Sequence, residues 1–139
     1  MQIRNRRAST FSVPAETGAW VTATAVRRVT ETLRDWGYRP DGDSVAAVVT
    51  LLVGSAVADG GRRVSVHVAD EAAVAAIAVL SHRPGAPADD QAAVLRRIGT
   101  IDGVLSCGTD AAPDGRRVWA LLDVDPTASP RPASAAPAP

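Results

Sequence analysis

The sequence predicts an α/β (α+β) fold, a two-layer sandwich with a mostly antiparallel sheet and helices on one face. Three observations carry this. Short runs alternate apolar and polar residues, as at Phe11/Val13 and Val64/Val66/Val68, which is the period of a half-buried strand. Longer stretches space apolar residues by three and four, the signature of one helix face. The strand-like runs fall in consecutive pairs, so neighbouring strands run antiparallel and helices are left to cover a shared face.

Taken in order, Phe11 and Val13 mark a short strand ended by Pro14. Thr17 to Trp36 reads as a helix, with Val26, Val29, Leu33 and Trp36 on one face, Gly37 as its stop and Pro40 beyond. A second helix is capped by Asp43 or Ser44 and runs to about Ala58, before Gly60-Gly61. Val64, Val66 and Val68 form the next strand, and Asp70-Glu71 the turn after it. Ala73 to Leu80 reads as a more continuously apolar strand, although its alanines also permit a helix. Pro84-Gly85-Ala86-Pro87 is a loop, and Asp89 or Asp90 caps a third helix through about Thr100. Val104 to Thr109 and Val118 to Val124 are strands joined through Asp114-Gly115, a turn signal. The expected order is β-α-α-β-β-α-β-β. Residues 1–10 read as a basic flexible arm carrying Arg4, Arg6 and Arg7. Residues 11–125 form the domain. Residues 126–139 form a Pro/Ala/Ser-rich tail that lacks the apolar content for a core.

Composition narrows the function classes. The formal net charge is +0, which supplies no global attraction to nucleic acid. Every basic side chain is an arginine. The single cysteine, Cys107, excludes an intramolecular disulfide and a cysteine-based zinc site; a reducing cytoplasm fits. The N-terminus lacks the apolar region of a secretory signal. No apolar run approaches the roughly 20 residues of a membrane span. Hydrophobic residues are 46% of the chain but aromatics only 4%, so the expected core is Ala, Val, Leu and Ile, with Trp20, Trp36 and Trp119 as large fillers.

The segment Val45–Gly60, VAAVVTLLVGSAVADG, follows a helix ending Arg34-Asp35-Trp36-Gly37, and Gly115-Arg116-Arg117-Val118-Trp119 opens the last expected strand of the domain. These stretches resemble the histidine-kinase-like (Bergerat) ATPases, and among them the small anti-sigma-factor serine kinases of actinobacteria. The resemblance covers about Phe11 to Asp125. It implies a nucleotide site on the second helix, where the family segment reads E-L-V-T-N-A-V-x-H-G. In this chain the Glu position, which supplies a base, is Leu51; the Asn position, which holds Mg²⁺, is Ser55; and the His position is Asp59. Leu51 accepts no proton. Ser55 offers a shorter, neutral oxygen where a hard cation wants oxygen ligands in octahedral array. Asp59, one turn later on the same face, reads as a solvent-facing carboxylate at the helix end, with replacement of that metal contact as the alternative.

The second family element is an adenine-binding Asp before a Gly/Pro loop. In register with it stand Ser81, then His82, Pro84, Gly85 and Pro87; a Ser hydroxyl binds a base more weakly than a carboxylate. The third is a phosphate lid, G-x-G-L, matched by Ala92-Ala93-Val94-Leu95 before Arg96 and Arg97, with both glycines replaced.

The resemblance therefore implies a fold whose nucleotide chemistry has lapsed. Ser55, Asp59, Ser81 and Gly85 are vestigial cofactor-binding candidates; no catalytic residue and no metal site is expected. The expected function is a regulatory protein-binding module of anti-sigma type. Its partner would be a sigma factor or that factor's antagonist, with no nucleic acid or membrane, and a homodimer is compatible. Arg27, Arg28 and Arg34 along the first helix are candidates for a partner-facing stripe. The alternative is an active ATP- and Mg²⁺-dependent serine kinase or ATPase using Ser55 or Asp59. A third possibility is an unrelated small-ligand or dimerisation module.

Overall fold

Alternation of Val and Ile with small or polar residues builds the sheet, and it does so in the expected order. A computed structural model describes residues 7–15, 19–83 and 91–124. The elements are β1 (Ala8–Pro14), α1 (Ala19–Asp35), α2 (Gly42–Val57), β2 (Arg63–Glu71), β3 (Val74–Leu80), α3 (Gln91–Gly99), β4 (Val104–Ala112) and β5 (Gly115–Asp123). The strands make one five-stranded sheet in the order β1-β2-β3-β5-β4, and every neighbouring pair is antiparallel. The fold is α+β, consistent with a two-layer sandwich.

Register decides which side chains face the helices. Phe11 pairs with Val66, Val68 with Ile77, and Ile77 with Ala120. These residues, with Val13, Val64, Val79, Val118 and Leu122, are buried. From the helices come Val21, Ala25, Val29 and Leu33 of α1, and Val45, Val48, Val49, Leu52, Val53 and Ala56 of α2. Ile98 is the buried residue of α3. Burying each of the Val, Leu, Ile and Phe side chains among these contributes about 1.5–3 kcal/mol.

The alanine-rich segment after residue 73 resolves as strand β3, paired on both sides. Four local expectations are corrected. β1 begins at Ala8, so residues 8–10 of the expected arm are strand, and Arg7 is anchored to Asp70. Asp70 and Glu71 belong to β2; the turn is Ala72-Ala73, with φ of 55° and 68°. That is the left-handed region, which Gly and Asn occupy more cheaply than Ala. Asp41 caps α2, its side chain accepting from the Asp43 backbone N–H at 3.1 Å. Ser44, one expected cap, instead donates to the Asp102 carbonyl at 2.8 Å and ties α2 to the turn before β4. Finally, of the three tryptophans only Trp36 packs against the core, and it is partly buried. Trp20 is 57% exposed, and the largest fully buried side chains are Leu, Ile and Val. Trp119 lies on the outer sheet face against Gly108, where an added Cβ would meet its ring at 2.6 Å.

Among the described residues, no helix is long and apolar enough to cross a membrane.

Candidate functional site

The site that the resemblance assigns to α2 is centred on an arginine from the other end of the chain. Along β5, Val118, Ala120 and Leu122 face the helices. Arg116 has the same parity, so strand alternation sends its side chain inward. Its backbone is fixed by close packing at the exits of β3 and of the β4–β5 turn. A Cβ on Gly115 would sit 2.7 Å from the His82 backbone nitrogen, so only glycine allows that approach. Ser81 N–H donates to the Arg116 carbonyl at 3.0 Å. The Ser81 hydroxyl accepts from the backbone N–H groups of Arg83 at 3.2 Å and Arg116 at 3.3 Å.

So held, the Arg116 guanidinium reaches the exposed-side turn of α2. Its Nε donates to Asp59 Oδ2 at 3.0 Å, and its Nη2 donates to Asp59 Oδ1 at 3.2 Å. The same Nη2 donates to Ser55 Oγ at 2.7 Å and to the Ser55 carbonyl at 2.9 Å, while Nη1 reaches Thr109 Oγ1 at 3.4 Å. The pair is well buried, with side-chain exposures of 10% for Arg116 and 5% for Asp59, so Asp59 is not the solvent-facing carboxylate that its place at the helix end suggests. A fork of two parallel N–H donors on one carboxylate is the strong geometry for such a pair.

Above the pair opens a cleft of about 410 Å³, lined by Thr50, Leu51, Gly54, Ala58, Gln91, Val94 and Arg97 as well as Ser55, Asp59 and Arg116. The structure thus brings Leu51, Ser55 and Asp59 together on one wall. Ser81 is fully buried, on the strand side of Arg116, where its hydroxyl serves the backbone. Gly85 lies outside the described residues, as do Asp89 and Asp90. Ala92–Leu95, matched to the family's lid, are part of helix α3. Arg27, Arg28 and Arg34 are exposed on α1, and Arg28 stacks 4.3 Å from the Phe11 ring centroid.

His82, at φ 58°, is tied down rather than free. Its Nε2 is 2.6 Å from the Ser65 hydroxyl, which in turn lies 3.4 Å from that of Ser12. His67 on the same outer face lies 3.0 Å from Thr10 Oγ1. Burial holds its pKa below the usual histidine value, and the positive charge of Arg117 adds to that.

A second polar centre lies at the opposite end of β2. Asp70 has the inward parity of Val64, Val66 and Val68, and its side chain is 0% exposed. Its Oδ1 accepts from the Arg7 backbone N–H at 2.9 Å. Its Oδ2 accepts from Arg7 Nη2 at 2.7 Å and from the Tyr38 hydroxyl at 2.5 Å. Arg7 Nη1 donates to the Trp36 carbonyl at 3.1 Å. The guanidinium lies 5.2 Å from the Trp36 ring and 5.7 Å from the Tyr38 ring, within cation–π range. Burial disfavours the Asp70 charge, yet the hydrogen bonds from Arg7 and Tyr38 outweigh it and hold the carboxyl below its ordinary value. The Tyr38 hydroxyl is pushed up, first by burial and then by its bond to Asp70.

Sequence reasoning missed both arginines. Arg116 entered only as part of a closing-strand motif, and Arg7 only as part of an arm. The available signal was parity: a charged residue at an inward strand position requires a buried partner. Among the described residues, no group of three or more His, Cys, Asp and Glu side chains converges. No protein-family model matches the chain, and no curated protein is significantly similar to it.

Proposed function

We propose that this chain is a regulatory protein-binding module of anti-sigma type, without ATP binding or kinase activity, that acts in the cytoplasm on a sigma factor or its antagonist. One observation carries the reading. The oxygens that would face a magnesium–phosphate group on α2, those of Ser55 and Asp59, are already engaged by the Arg116 guanidinium. A fixed internal cation at this point competes with Mg²⁺ for the same carboxylate, and separating it from Asp59 would leave both charges poorly solvated. The neighbouring residues support the reading. Leu51 offers no base, and the Ser81 hydroxyl is buried and bound to backbone. The residues present therefore do not fit the nucleotide group.

What remains is a surface cleft with an apolar wall of Leu51, Ala58 and Val94 beside Arg97 and Gln91. Such a mix suits a protein anchor with a polar rim. The test is calorimetric titration of the full chain with Mg-ATP, with an EDTA control. No heat at millimolar nucleotide is the expected result. Micromolar, Mg²⁺-dependent binding would overturn the proposal in favour of the kinase alternative.

A further inference from the structure

The exposed side of α2 lacks the charges that a surface helix ordinarily carries away from its core. Between Asp43 and Asp59 the chain has no charged residue, yet Thr50, Gly54 and Ala58 are open to solvent. The cleft of about 410 Å³ lies between these residues and α3. A second hollow, of about 540 Å³, lies on the α1 side, lined by Ala19, Thr22, Ala23, Val26 and Arg27, and it shares Thr50 with the cleft. The two form one trough across α2, with α1 and α3 as its walls.

The trough differs in charge from the chain as a whole. Its charged lining residues are Arg27, Arg97, Arg116 and Asp59. Arg116 and Asp59 neutralise one another. Arg27 and Arg97 are exposed, and neither belongs to an ion pair among the described residues. Each wall therefore carries an uncompensated positive charge, in a chain whose formal net charge is +0. Between the two arginines the surface is apolar, with Leu51 and Val94 on one side of Thr50 and Ala23 and Val26 on the other. Apolar side chains flanked by carboxylates complement such a surface in both shape and sign. A nucleic-acid strand would match the charges but not the lining, because among the described residues no aromatic ring lines either hollow for a base to stack on. Resting on the reading of this chain as a protein-binding module, we propose that the trough docks an acidic segment of the partner protein. That segment crosses α2 at Thr50, places carboxylates at Arg27 and Arg97, and seats apolar side chains against Leu51 and Val94.

The experiment titrates the full chain with a soluble peptide of repeating Glu-Glu-Leu-Leu. Its Lys-Lys-Leu-Leu counterpart and an oligothymidylate strand are run in parallel, and all are read by amide NMR shifts. Saturable binding of the Glu peptide is expected, with shifts centred on Thr50, Leu51 and Val94. Its affinity should exceed that of the Lys peptide by about tenfold or more and fall as salt is raised. The Arg27→Glu/Arg97→Glu variant changes two exposed side chains and should fold as the parent does; its preference should pass to the Lys peptide. Equal affinity for the two peptides, shifts centred elsewhere, an unchanged preference in the variant, or binding of oligothymidylate in place of the Glu peptide overturns the proposal. A separate titration with Mg-ATP keeps the two readings apart. Silence from both Mg-ATP and the Glu peptide removes the acidic segment and leaves the non-nucleotide reading standing. Mg-ATP binding at Leu51 and Val94 with no response to the Glu peptide removes both.

Discussion

Replacing Arg116 by Met tests the pair at the centre of the cleft most directly. Methionine keeps the length of the side chain and its apolar stem but removes the charge and every donor. Asp59, 5% exposed, then loses both guanidinium hydrogen bonds, and Ser55 loses its side-chain partner. Breaking a buried ion pair from one side costs about 3–5 kcal/mol. Because the pair borders an open cleft, water recovers part of that, so the lower end, about 3 kcal/mol, is expected. With a urea m-value of about 1.5 kcal/mol/M, the unfolding midpoint falls by about 2 M. Tryptophan fluorescence reports the transition. The Asp59→Leu/Arg116→Met double variant should recover to within about 1 kcal/mol of the parent, since a paired apolar replacement avoids burying a charge. A loss below about 1 kcal/mol for Arg116→Met, the value of an exposed surface pair, would refute the reasoning.

Three further outcomes are expected. The folded-state pKa of Asp70 lies below its ordinary value, so its stabilisation is fully present above about pH 3.9, the unfolded value, and disappears as pH falls through the folded value. Asp70→Asn should therefore be destabilised at pH 6 and converge on the parent near pH 2 in urea titrations; a constant gap would contradict the assignment. The Ala72→Asn/Ala73→Gly variant should be about 1–2 kcal/mol more stable, because both positions hold positive φ; calorimetry would show this as a raised midpoint, and an unchanged or lowered one would count against it. Gly115→Ala forces a Cβ to within 2.7 Å of the His82 backbone and should cost about 3 kcal/mol, displacing Arg116 and shifting the Asp59 and Ser55 amide resonances as well as the midpoint.

Much of the sheet was legible because its inward positions are Val and Ile at a strict period of two, as in Val64, Val66 and Val68. Residues 8–10 of β1 were not, because Ala8, Ser9 and Thr10 carry no apolar pattern; their pairing with Ala69, Val68 and His67 is what makes them strand. The Ala72-Ala73 turn was hidden for the opposite reason. Its residues disfavour the conformation they hold, so turn chemistry pointed to Asp70-Glu71 instead. At the candidate site, the helical spacing of Ser55 and Asp59 placed them together in advance. That Arg116 would join them depends on a glycine contact between segments more than thirty residues apart, which no local pattern encodes. Trp20 shows the limit of reading size as burial, since it begins α1 on its exposed side.

The sheet order has a consequence for how the molecule is made. The last of the described strands, β5, is an interior strand that separates β3 from β4. As the polypeptide emerges from the ribosome, β1, β2 and β3 can pair in turn, but β3 keeps one open edge and β4 has no neighbour to join. Only when residues 115–123 appear does a single strand satisfy both. Such late, non-local pairing is slow and leaves unpaired edges exposed to other chains. The same segment delivers Arg116 to Asp59. A nascent chain stopped before β5 would therefore carry an open sheet edge and a carboxylate still waiting for its cation.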